Sequence, residues 1–186
     1  ILSLKVKSGL SKFKEIIPED ILKKVNTTKD SLLYSKAMES AITLVKNSKE
    51  TLPLSTTKKY LHVSFGKNTR SDFLTDKMKM YIDVDSFEGD DYSLINDSKA
   101  YDAIIISYHG SSLSPYASNI IPDDVVEEIN NISNSNNVIL NLFLNPYSLN
   151  SFKSIDNFES IIISYQNNII SQEISADLMF GTRSFK

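Results

Sequence analysis

Consecutive hydrophobic positions mark several short segments of this chain, and the strongest of them is Tyr101–Gly110. Four apolar residues follow one another there, from Ala103 to Ile106. A strand with this pattern is covered on both faces, as in the middle of a parallel sheet with helices on each side. The segment ends in His109-Gly110-Ser111-Ser112, a polar and small stretch of the kind found at the ligand-binding edge of open α/β sheets. We therefore interpret Tyr101–Gly110 as the central strand.

Strands and helices alternate along most of the chain. Besides the central strand, short apolar segments bounded by turn residues predict four more strands. Between them, apolar residues at three-to-four spacing predict helices. This alternation is typical of βαβ crossovers, so we expect a three-layer α/β/α sandwich around a mostly parallel sheet of five to six strands, in flavodoxin-like order. The four predicted strands are Tyr60–Phe65, Met78–Val84, Val138–Leu144 and Ser160–Tyr165.

The predicted helices differ in length and in how their ends are marked. Thr28 is the predicted N-cap of a long helix that runs to about Asn47. Pro122 and the two aspartates after it begin another helix, which runs to about Asn131, and Gly181 ends the last one. The remaining helices are expected within Ile1–Leu10, after Pro18, at Ser71–Lys77 and at about Ile169–Phe180.

Composition narrows the class of protein. The 186 residues suffice for one hydrophobic core, and 41% hydrophobic with 23% charged residues is ordinary for a globular domain. The net charge of -3 argues against a general binder of nucleic acid or of anionic membranes. No apolar run reaches the ~20 residues that a membrane-spanning helix needs. We therefore predict neither nucleic acid nor a membrane span among the partners of this chain.

Metal and thiol chemistry are limited by the residue types present. The chain contains no cysteine and only two histidines, His62 and His109. A thiolate nucleophile, a disulfide and a Cys-based metal site are therefore excluded, and two histidines so far apart do not make a metal site. We predict no metal and no other cofactor. His62 lies within a predicted strand and is expected to be buried and hydrogen-bonded.

The carboxyl ends of the predicted strands carry the candidate binding residues. His109 follows the central strand, where it either caps the loop or contacts a sugar. Asn145-Pro146-Tyr147 follows the fourth strand, so that proline fixes the turn, asparagine can bond neighbouring backbone and tyrosine projects at the rim. A tight strand-to-helix turn alone also explains this segment. We predict no catalytic residue and a substrate-binding set of His109, Ser111, Ser112, Asn145 and Tyr147.

Tyrosines are also concentrated at this predicted edge of the sheet. Four of them, Tyr108, Tyr116, Tyr147 and Tyr165, fall near strand ends. An exposed tyrosine combines a large apolar face with a polar hydroxyl. We therefore expect these side chains to stack on a sugar or to pack against another domain.

A different chemistry is suggested by Asp83-Val84-Asp85-Ser86. This segment follows a predicted strand, as the aspartyl nucleophile of haloacid-dehalogenase-type phosphatases does. Such an enzyme needs one carboxylate to attack phosphorus, a second as acid/base and a magnesium ion between them. Phe87 stands where threonine or valine is expected, and Asp123-Asp124 begins a helix instead of ending a strand. A phosphatase built on Asp83 and Asp85 is kept as an alternative.

Three segments, in order along the chain, resemble the C-terminal α/β sandwich of family 3 glycoside hydrolases. Ala37–Asn47 followed by Leu52-Pro53-Leu54 resembles the entry into that domain, where a helix ends in a Leu-Lys-Asn-like turn and Leu-Pro-Leu precedes the first strand. Leu144–Leu149 resembles its Asn-Pro-Tyr turn, with Leu144 where glycine is usual.

The third segment is similar to the closing helix of that domain. It consists of Tyr165 followed by Gln172 and by Ala176–Gly181, with the spacing in register. The three matches together cover essentially the whole chain. The chain looks most similar to the Bacteroidetes-type β-N-acetylhexosaminidase branch of the family.

The resemblance implies that the reacting groups belong to another domain. In that family an N-terminal TIM barrel of the same parent chain holds the sugar and the aspartate nucleophile, and the hexosaminidase branch places an Asp-His acid/base pair on a barrel loop. The β-glucosidase branch takes an acid glutamate from the C-terminal domain, but no equivalent can be placed on Glu88, Glu127 or Glu128. Residues 1–27 would then be linker helices from a missing barrel, and residues 28–186 the sandwich domain.

Three hypotheses for the function follow. The first is an accessory domain that packs beside the barrel, walls one side of the carbohydrate cleft and does not hydrolyse glycosides alone, since a retaining glycosidase needs two carboxyl groups ~5 Å apart. The resemblance places such a parent in the periplasm or outside the cell. The second is the phosphatase on Asp83 and Asp85, and the third is a sugar-binding module without catalysis.

The apolar face of Ile1–Leu10 is expected to drive dimers of the isolated chain.

Overall fold

The computed structural model describes residues 1–12, 18–25, 27–66, 72–87, 92–95, 100–110 and 120–185. Within these ranges the chain forms two compact units, Ile1–Tyr34 and Ser35–Lys186.

The first unit consists of short helices. The helix α1 spans Leu2–Lys7, α2 spans Pro18–Val25, and α3 spans Thr28–Ala41 and so continues into the second unit. The Thr27 hydroxyl accepts a bond from the Asp30 N–H at 3.2 Å, and the Asp30 carboxylate accepts one from the Thr27 N–H at 3.1 Å. This reciprocal pair satisfies N–H groups that a helix start leaves free. The N-cap is therefore Thr27, and the prediction of Thr28 was wrong by one residue.

The second unit is built on a sheet of β1 (Thr43–Asn47), β2 (Tyr60–Phe65), β3 (Asp85–Ser86), β4 (Ala103–His109), β5 (Val138–Phe143) and β6 (Phe158–Ile163). These six described strands lie in the order β1-β6-β5-β4-β2-β3. The pair β1–β6 is antiparallel, and every other pair is parallel. Without β1, the five parallel strands follow the 2-1-3-4-5 order of flavodoxin-like sheets, which confirms the predicted order.

The predicted central strand is the buried interior strand β4. It lies between β5 and β2, and all of its residues are buried. Ile104 and Ile106 belong to the core on one face of the sheet, and Ile105 belongs to the core on the other. This alternation explains why the strand is apolar at consecutive positions, because both of its faces are covered.

Helices cover both faces of the sheet, which confirms the three-layer α/β/α sandwich. The helix α5 (Asp123–Ser135) packs through Ile129 and Ile132 into the core that contains Ile104 and Ile106. On the other face, α4 (Asp72–Lys79) and α6 (Ile169–Met179) pack into the core of Ile105.

In the first half of the chain, two elements differ from their predictions. The long helix ends at Ala41 and not near Asn47, because Thr43–Asn47 pairs with β6 as an edge strand. The predicted strand Met78–Val84 is also wrong, since α4 extends to Lys79 and the strand β3 is only Asp85–Ser86. Pairing with a distant strand decides the structure in the first place, and local spacing does not carry that information. In the second, Leu74 and Met78 pack into the core from the helix α4.

Among the described helices, none combines the length and the apolar character that crossing a bilayer would require.

Candidate functional site

The carboxyl ends of the parallel strands form the edge at which open α/β sheets bind ligands. β4 ends at His109, followed by Gly110, and β5 ends at Phe143, followed by Leu144 and Asn145. The Gly110 N–H donates to the Phe143 carbonyl at 3.2 Å, so these two strand ends lie side by side. Of the predicted binding residues, His109, Asn145 and Tyr147 are described at this edge, whereas Ser111 and Ser112 lie outside the described residues.

The ends of β2 and β4 approach each other closely at Gly66. This residue has φ of +116°, a conformation that side chains disfavour, and a Cβ atom there would overlap the carbonyl oxygen of His109. The strand order also reverses between β2 and β4, which is where ligand crevices form in doubly wound sheets. Gly66 therefore allows the carboxyl ends of β2 and β4 to lie close together.

His109 is buried and bonded on both ring nitrogens. Its Nε2 lies 2.8 Å from Ser107 Oγ and its Nδ1 lies 2.9 Å from Asn167 Oδ1. The ring is only 1% exposed and stacks on Phe143 with the ring centroids 4.7 Å apart. In this position the imidazole links β4 to the loop before α6. His109 would therefore affect a ligand at this edge through the residues that it positions.

The bonds of His109 belong to a longer chain of polar groups beneath α4 and α6. Ser107 Oγ also lies 2.7 Å from His62 Nε2, and His62 Nδ1 lies 2.8 Å from Thr75 Oγ1 in α4. At the other end, the Gln172 side chain in α6 bonds Asn167 Oδ1 at 2.8 Å. The prediction that His62 is buried and hydrogen-bonded is confirmed.

The direction of the bonds around Asn167 follows from one backbone donor. The Leu74 N–H donates to Gln172 Oε1, so the Gln172 amide nitrogen must donate to Asn167 Oδ1. That oxygen is then an acceptor, and His109 donates to it from Nδ1–H. The directions of the two bonds at Ser107 Oγ depend on which protons the rings of His109 and His62 carry.

Burial, followed by electrostatic repulsion from His109 and Lys79, lowers the pKa of His62 to about 3. His62 is therefore neutral near pH 7, and one of its ring nitrogens donates while the other accepts in its bonds with Ser107 and Thr75. The network is an ordered polar link from α4 through β2 and β4 to α6.

The Asn145-Pro146-Tyr147 segment forms the turn that its sequence predicts. Asn145 Oδ1 accepts from the Tyr147 N–H at 3.0 Å, and the Asn145 carbonyl accepts from the Ser148 hydroxyl at 2.7 Å. The Asn145 side chain is thus used within the turn. Tyr147 is 74% exposed, so its ring is the accessible aromatic surface at this end of β5.

The other tyrosines predicted near this edge differ in exposure. Tyr108 is buried in the core on the α5 face, and burial raises the pKa of its hydroxyl. Tyr165 is half-buried, has φ of +59° and places its hydroxyl 3.3 Å from Thr43 Oγ1. Tyr116 lies outside the described residues. Among the described tyrosines of the set, Tyr147 alone is largely available for stacking.

Asp83 and Asp85 occupy a different part of the molecule. Asp85 pairs with Leu61 near the amino end of β2, and its carboxylate accepts from the Tyr101 hydroxyl at 2.9 Å. No strand precedes Asp83 within residues 72–87, and both aspartates are exposed. Within the described ranges no three His, Asp or Glu side chains are arranged to hold a metal ion. The geometry that an aspartyl phosphatase requires is therefore not found around these residues.

The first and third of the segments that carry the family resemblance meet in space. The Asn47 amide both donates to the Leu52 carbonyl and accepts from the Leu52 N–H, each at 3.0 Å. The Leu54 N–H donates to the Met179 carbonyl at 2.7 Å, and Gly181 packs against Pro53. The entry loop is thus fastened to the closing helix.

Asp177 of the closing helix is the centre of a charged cluster. Its carboxylate accepts from the Tyr81 hydroxyl at 2.6 Å and from Arg183 Nε at 3.0 Å, and Lys77 lies 3.2 Å away. Burial alone would raise the pKa of Asp177, but these donors outweigh burial and hold the pKa below its ordinary value. The second guanidinium nitrogen of Arg183 bonds Glu39 in α3.

Sequence reasoning missed Ser107 and Asn167, the two groups that bond His109 directly. Ser107 did carry a signal, because it is a polar residue inside an otherwise apolar strand, and such residues are usually hydrogen-bonded when buried. Asn167 lies in a polar loop where nothing in the local pattern distinguishes it from its neighbours.

The described fold recurs as one part of larger enzymes. A family 3 β-N-acetylglucosaminidase from a Paenibacillus species matches with a TM-score of 0.67 and 18% identity, over 99% of this chain and 36% of that one. A β-glucoside phosphorylase matches with a TM-score of 0.70 and 20% identity, over 100% and 35%. A β-glucosidase from Listeria innocua, in complex with isofagomine, matches with a TM-score of 0.71 and 15% identity, over 97% and 30%.

A scan against protein-family models and a search of curated proteins gave no match. The chain spans about a third of the length of the three solved proteins above. At these identities the likeness concerns the fold. The chain therefore has the fold of one part of these sugar-processing enzymes.

Proposed function

We propose that this chain is the C-terminal accessory domain of a family 3 glycoside hydrolase of the β-N-acetylhexosaminidase or β-glucosidase type. It packs beside a catalytic TIM barrel of the same parent chain, and the carboxyl edge of its sheet walls one side of the carbohydrate cleft. The barrel supplies the reacting groups, and the sandwich alone is inactive.

One observation carries this proposal. The chain matches solved enzymes over nearly all of its own length but over only about a third of theirs, and their names include both β-N-acetylglucosaminidase and β-glucosidase. The first and third of the motifs that resemble the family domain also touch, Leu54 bonding Met179 and Pro53 packing against Gly181. A chance resemblance of short motifs would not require them to touch.

The carboxyl edge supports a non-catalytic role. The described strand ends there present Gly66, Gly110, Asn145 and Tyr165, and none of these is a carboxylate. A retaining glycosidase needs two carboxyl groups about 5 Å apart across the anomeric carbon. What this edge does offer is the exposed ring of Tyr147, held in place by the Asn145 turn and suited to stacking on a sugar.

The proposal is tested by comparing the 186-residue chain with its parent on para-nitrophenyl glycosides of N-acetylglucosamine and glucose. We expect the parent to release nitrophenol from at least one of them and the isolated chain to release none. Turnover by the isolated chain, beyond that of a matched preparation of an unrelated protein, would contradict the proposal.

In the parent, Tyr147→Ala should raise KM with little change in unfolding temperature, because the ring is 74% exposed.

A further inference from the structure

A second cleft lies at the opposite end of the sheet, where the strands begin. Its volume is about 290 Å³, and its walls come from the starts of β2, β4 and β6 and from the loop between β1 and β2. We call it the amino-edge cleft. The residues that matter for its chemistry are Lys49, Glu50, Lys58, Tyr60, Asp102 and Glu159.

Glu159 is directed by a break in strand pairing. Val138 pairs with Phe158 and the next residue, Ile139, pairs with Ser160, so Glu159 is an extra residue without a partner in β5. A bulge of this kind re-aims a side chain and is enriched beside functional sites. Here it gives the cleft a carboxylate from the start of β6, a strand that is otherwise mostly apolar.

The Glu159 carboxylate is only partly satisfied. Its Oε1 bonds Lys49 Nζ at 2.9 Å, whereas Oε2 is buried and has no hydrogen-bond donor within the described ranges. A buried acceptor without a donor costs free energy that a donor on a ligand would recover. The Lys49 side chain is 79% exposed, so it can rotate toward solvent. Such a rotation would let a donor on a ligand approach the Glu159 carboxylate.

The loop over the cleft is held in an unusual conformation. Lys49 and Glu50 have φ of +54° and +52°, a region that residues other than glycine rarely adopt. Two such residues in succession are strained, and strain of this kind clusters at ligand clamps and active sites. The bulge at Glu159 and the strained loop are independent features, and they meet at the Lys49–Glu159 ion pair.

The charges of the cleft favour a neutral ligand. An anion would face Glu50, Asp102 and Glu159, while an additional ammonium group at Glu159 would stand beside Lys49 and across from Lys58. A hydroxyl group can donate to Oε2 without adding charge. The volume of the cleft suits a molecule of about one sugar ring.

We propose that the amino-edge cleft is a binding site for a neutral, hydroxyl-rich ligand the size of a monosaccharide or polyol, with Glu159 accepting a ligand hydroxyl. The site stands apart from the proposed function, because its residues lie at the other end of the sheet from Tyr147 and His109.

The test is a titration of the isotope-labelled 186-residue chain, followed by amide NMR, with methyl β-D-glucopyranoside, methylammonium and inorganic phosphate as separate probes. We expect saturable shifts at Ser55, Tyr60 and Glu159 with the glucoside alone. Glu159→Gln should weaken that binding about tenfold or more, since a hydrogen bond to a charged acceptor is worth that much. Glu127→Gln, the same change on the exposed side of α5, is the matched control and should leave the binding unchanged.

A second variant tests the charge argument without relying on Glu159. Lys49→Asn removes the ammonium group and suits the left-handed backbone, so the fold should persist. With Glu159 left unpaired, methylammonium should now bind, at least several-fold more tightly than to the unmodified chain. Absence of glucoside binding at these amides, preference of the unmodified chain for phosphate or methylammonium, or binding insensitive to both substitutions would overturn the proposal.

Discussion

At the scale of single residues, the most informative group is the buried pair His62 and His109 with Ser107 between them. Two imidazoles that share one hydroxyl cannot both be charged without placing two positive groups in a buried site. The backbone N–H of Leu74 sets the donors as far as His109 Nδ1, and His62 bonds Ser107 and Thr75 as a neutral ring. A proton on His62 would place a positive charge in this buried site, so the structure depends on the protonation of His62.

This dependence predicts how stability changes with pH. The pKa of His62 is about 3 in the folded chain, because of burial and then of repulsion from His109 and Lys79, and about 6.5 in the unfolded chain. Below pH 6.5 the unfolded state binds the additional proton, so His62 destabilises the fold progressively as the pH falls toward 3. Between pH 6.5 and pH 5 the loss should be about 2 kcal/mol.

Urea unfolding at a series of pH values measures this effect, with His62→Gln as the comparison. Glutamine retains a donor toward Ser107 but does not titrate, so the variant should lose less stability on acidification. If both proteins showed the same slope between pH 6.5 and pH 5, His62 would not be the titrating group.

Asp177 affects stability in a more acidic range. Its lowered pKa stabilises the fold above the ordinary carboxyl pKa, and this stabilisation is lost as the pH falls through the pKa of the folded state.

At the scale of elements, one side chain makes several of the bonds that fasten the loop between β1 and β2. Asn47 bonds both backbone groups of Leu52 and also accepts from the Ser160 hydroxyl at 2.9 Å. Asn47→Ala removes all three bonds and leaves Leu52 unpaired, so we expect a loss of about 2 to 3 kcal/mol in the free energy of unfolding. Asn131→Ala, on the exposed side of α5, should change stability by less than about 0.5 kcal/mol. Equal effects of the two substitutions in urea unfolding would mean that Asn47 does not fasten the loop.

Elements of this fold were predictable where their signal is local. The consecutive apolar positions of β4 and the Pro-Asp-Asp start of α5 identify those elements directly. Thr43–Asn47 was misassigned because Val45 continues the helical spacing of α3, and only pairing with β6 makes this segment a strand. The strand β3 has two residues, which are too few for any periodicity.

The candidate sites follow the same division. Tyr147 was predictable as a rim residue because the turn that presents it is encoded by its own neighbours, Asn145 and Pro146. Glu159 was not predictable, because its direction comes from a register shift between β5 and β6. The bonds of His109 depend on Asn167, which lies 58 residues away in the sequence.

At the scale of the whole molecule, the first unit carries an unusual amount of exposed apolar surface. Leu2, Leu4 and Val6 of α1 are 81%, 70% and 59% exposed. Leu2 and Val6, four residues apart, share one face of this helix, and Leu4 lies on another. Exposed apolar side chains of this kind mark an interaction surface, and the proposed function assigns it to the barrel of the parent. In the isolated chain this surface has no such partner.

We therefore expect the isolated chain to self-associate in a concentration-dependent manner in sedimentation velocity experiments. Val6→Glu should shift the distribution toward monomer, because a charge on the face that Val6 shares with Leu2 must be desolvated in an apolar contact. Lys7→Glu changes a charge at the end of the same helix and serves as the control, with little effect expected. Strictly monomeric sedimentation of the unmodified chain would contradict the expectation.

The two faces of the sheet differ in kind, and this difference should have shaped how the sequence changes over evolutionary time. Under α5 the core cluster is built of aliphatic and aromatic side chains such as Ile106 and Leu140, and such packing accepts many volume-conserving exchanges. Under α4 and α6 the polar network from His62 to Gln172 allows no comparable freedom, because each member depends on its neighbour's donor or acceptor. Substitutions should be tolerated on the side of the sheet that faces α5 and poorly tolerated on the side that faces α4 and α6. A deep mutational scan would show this difference along each strand.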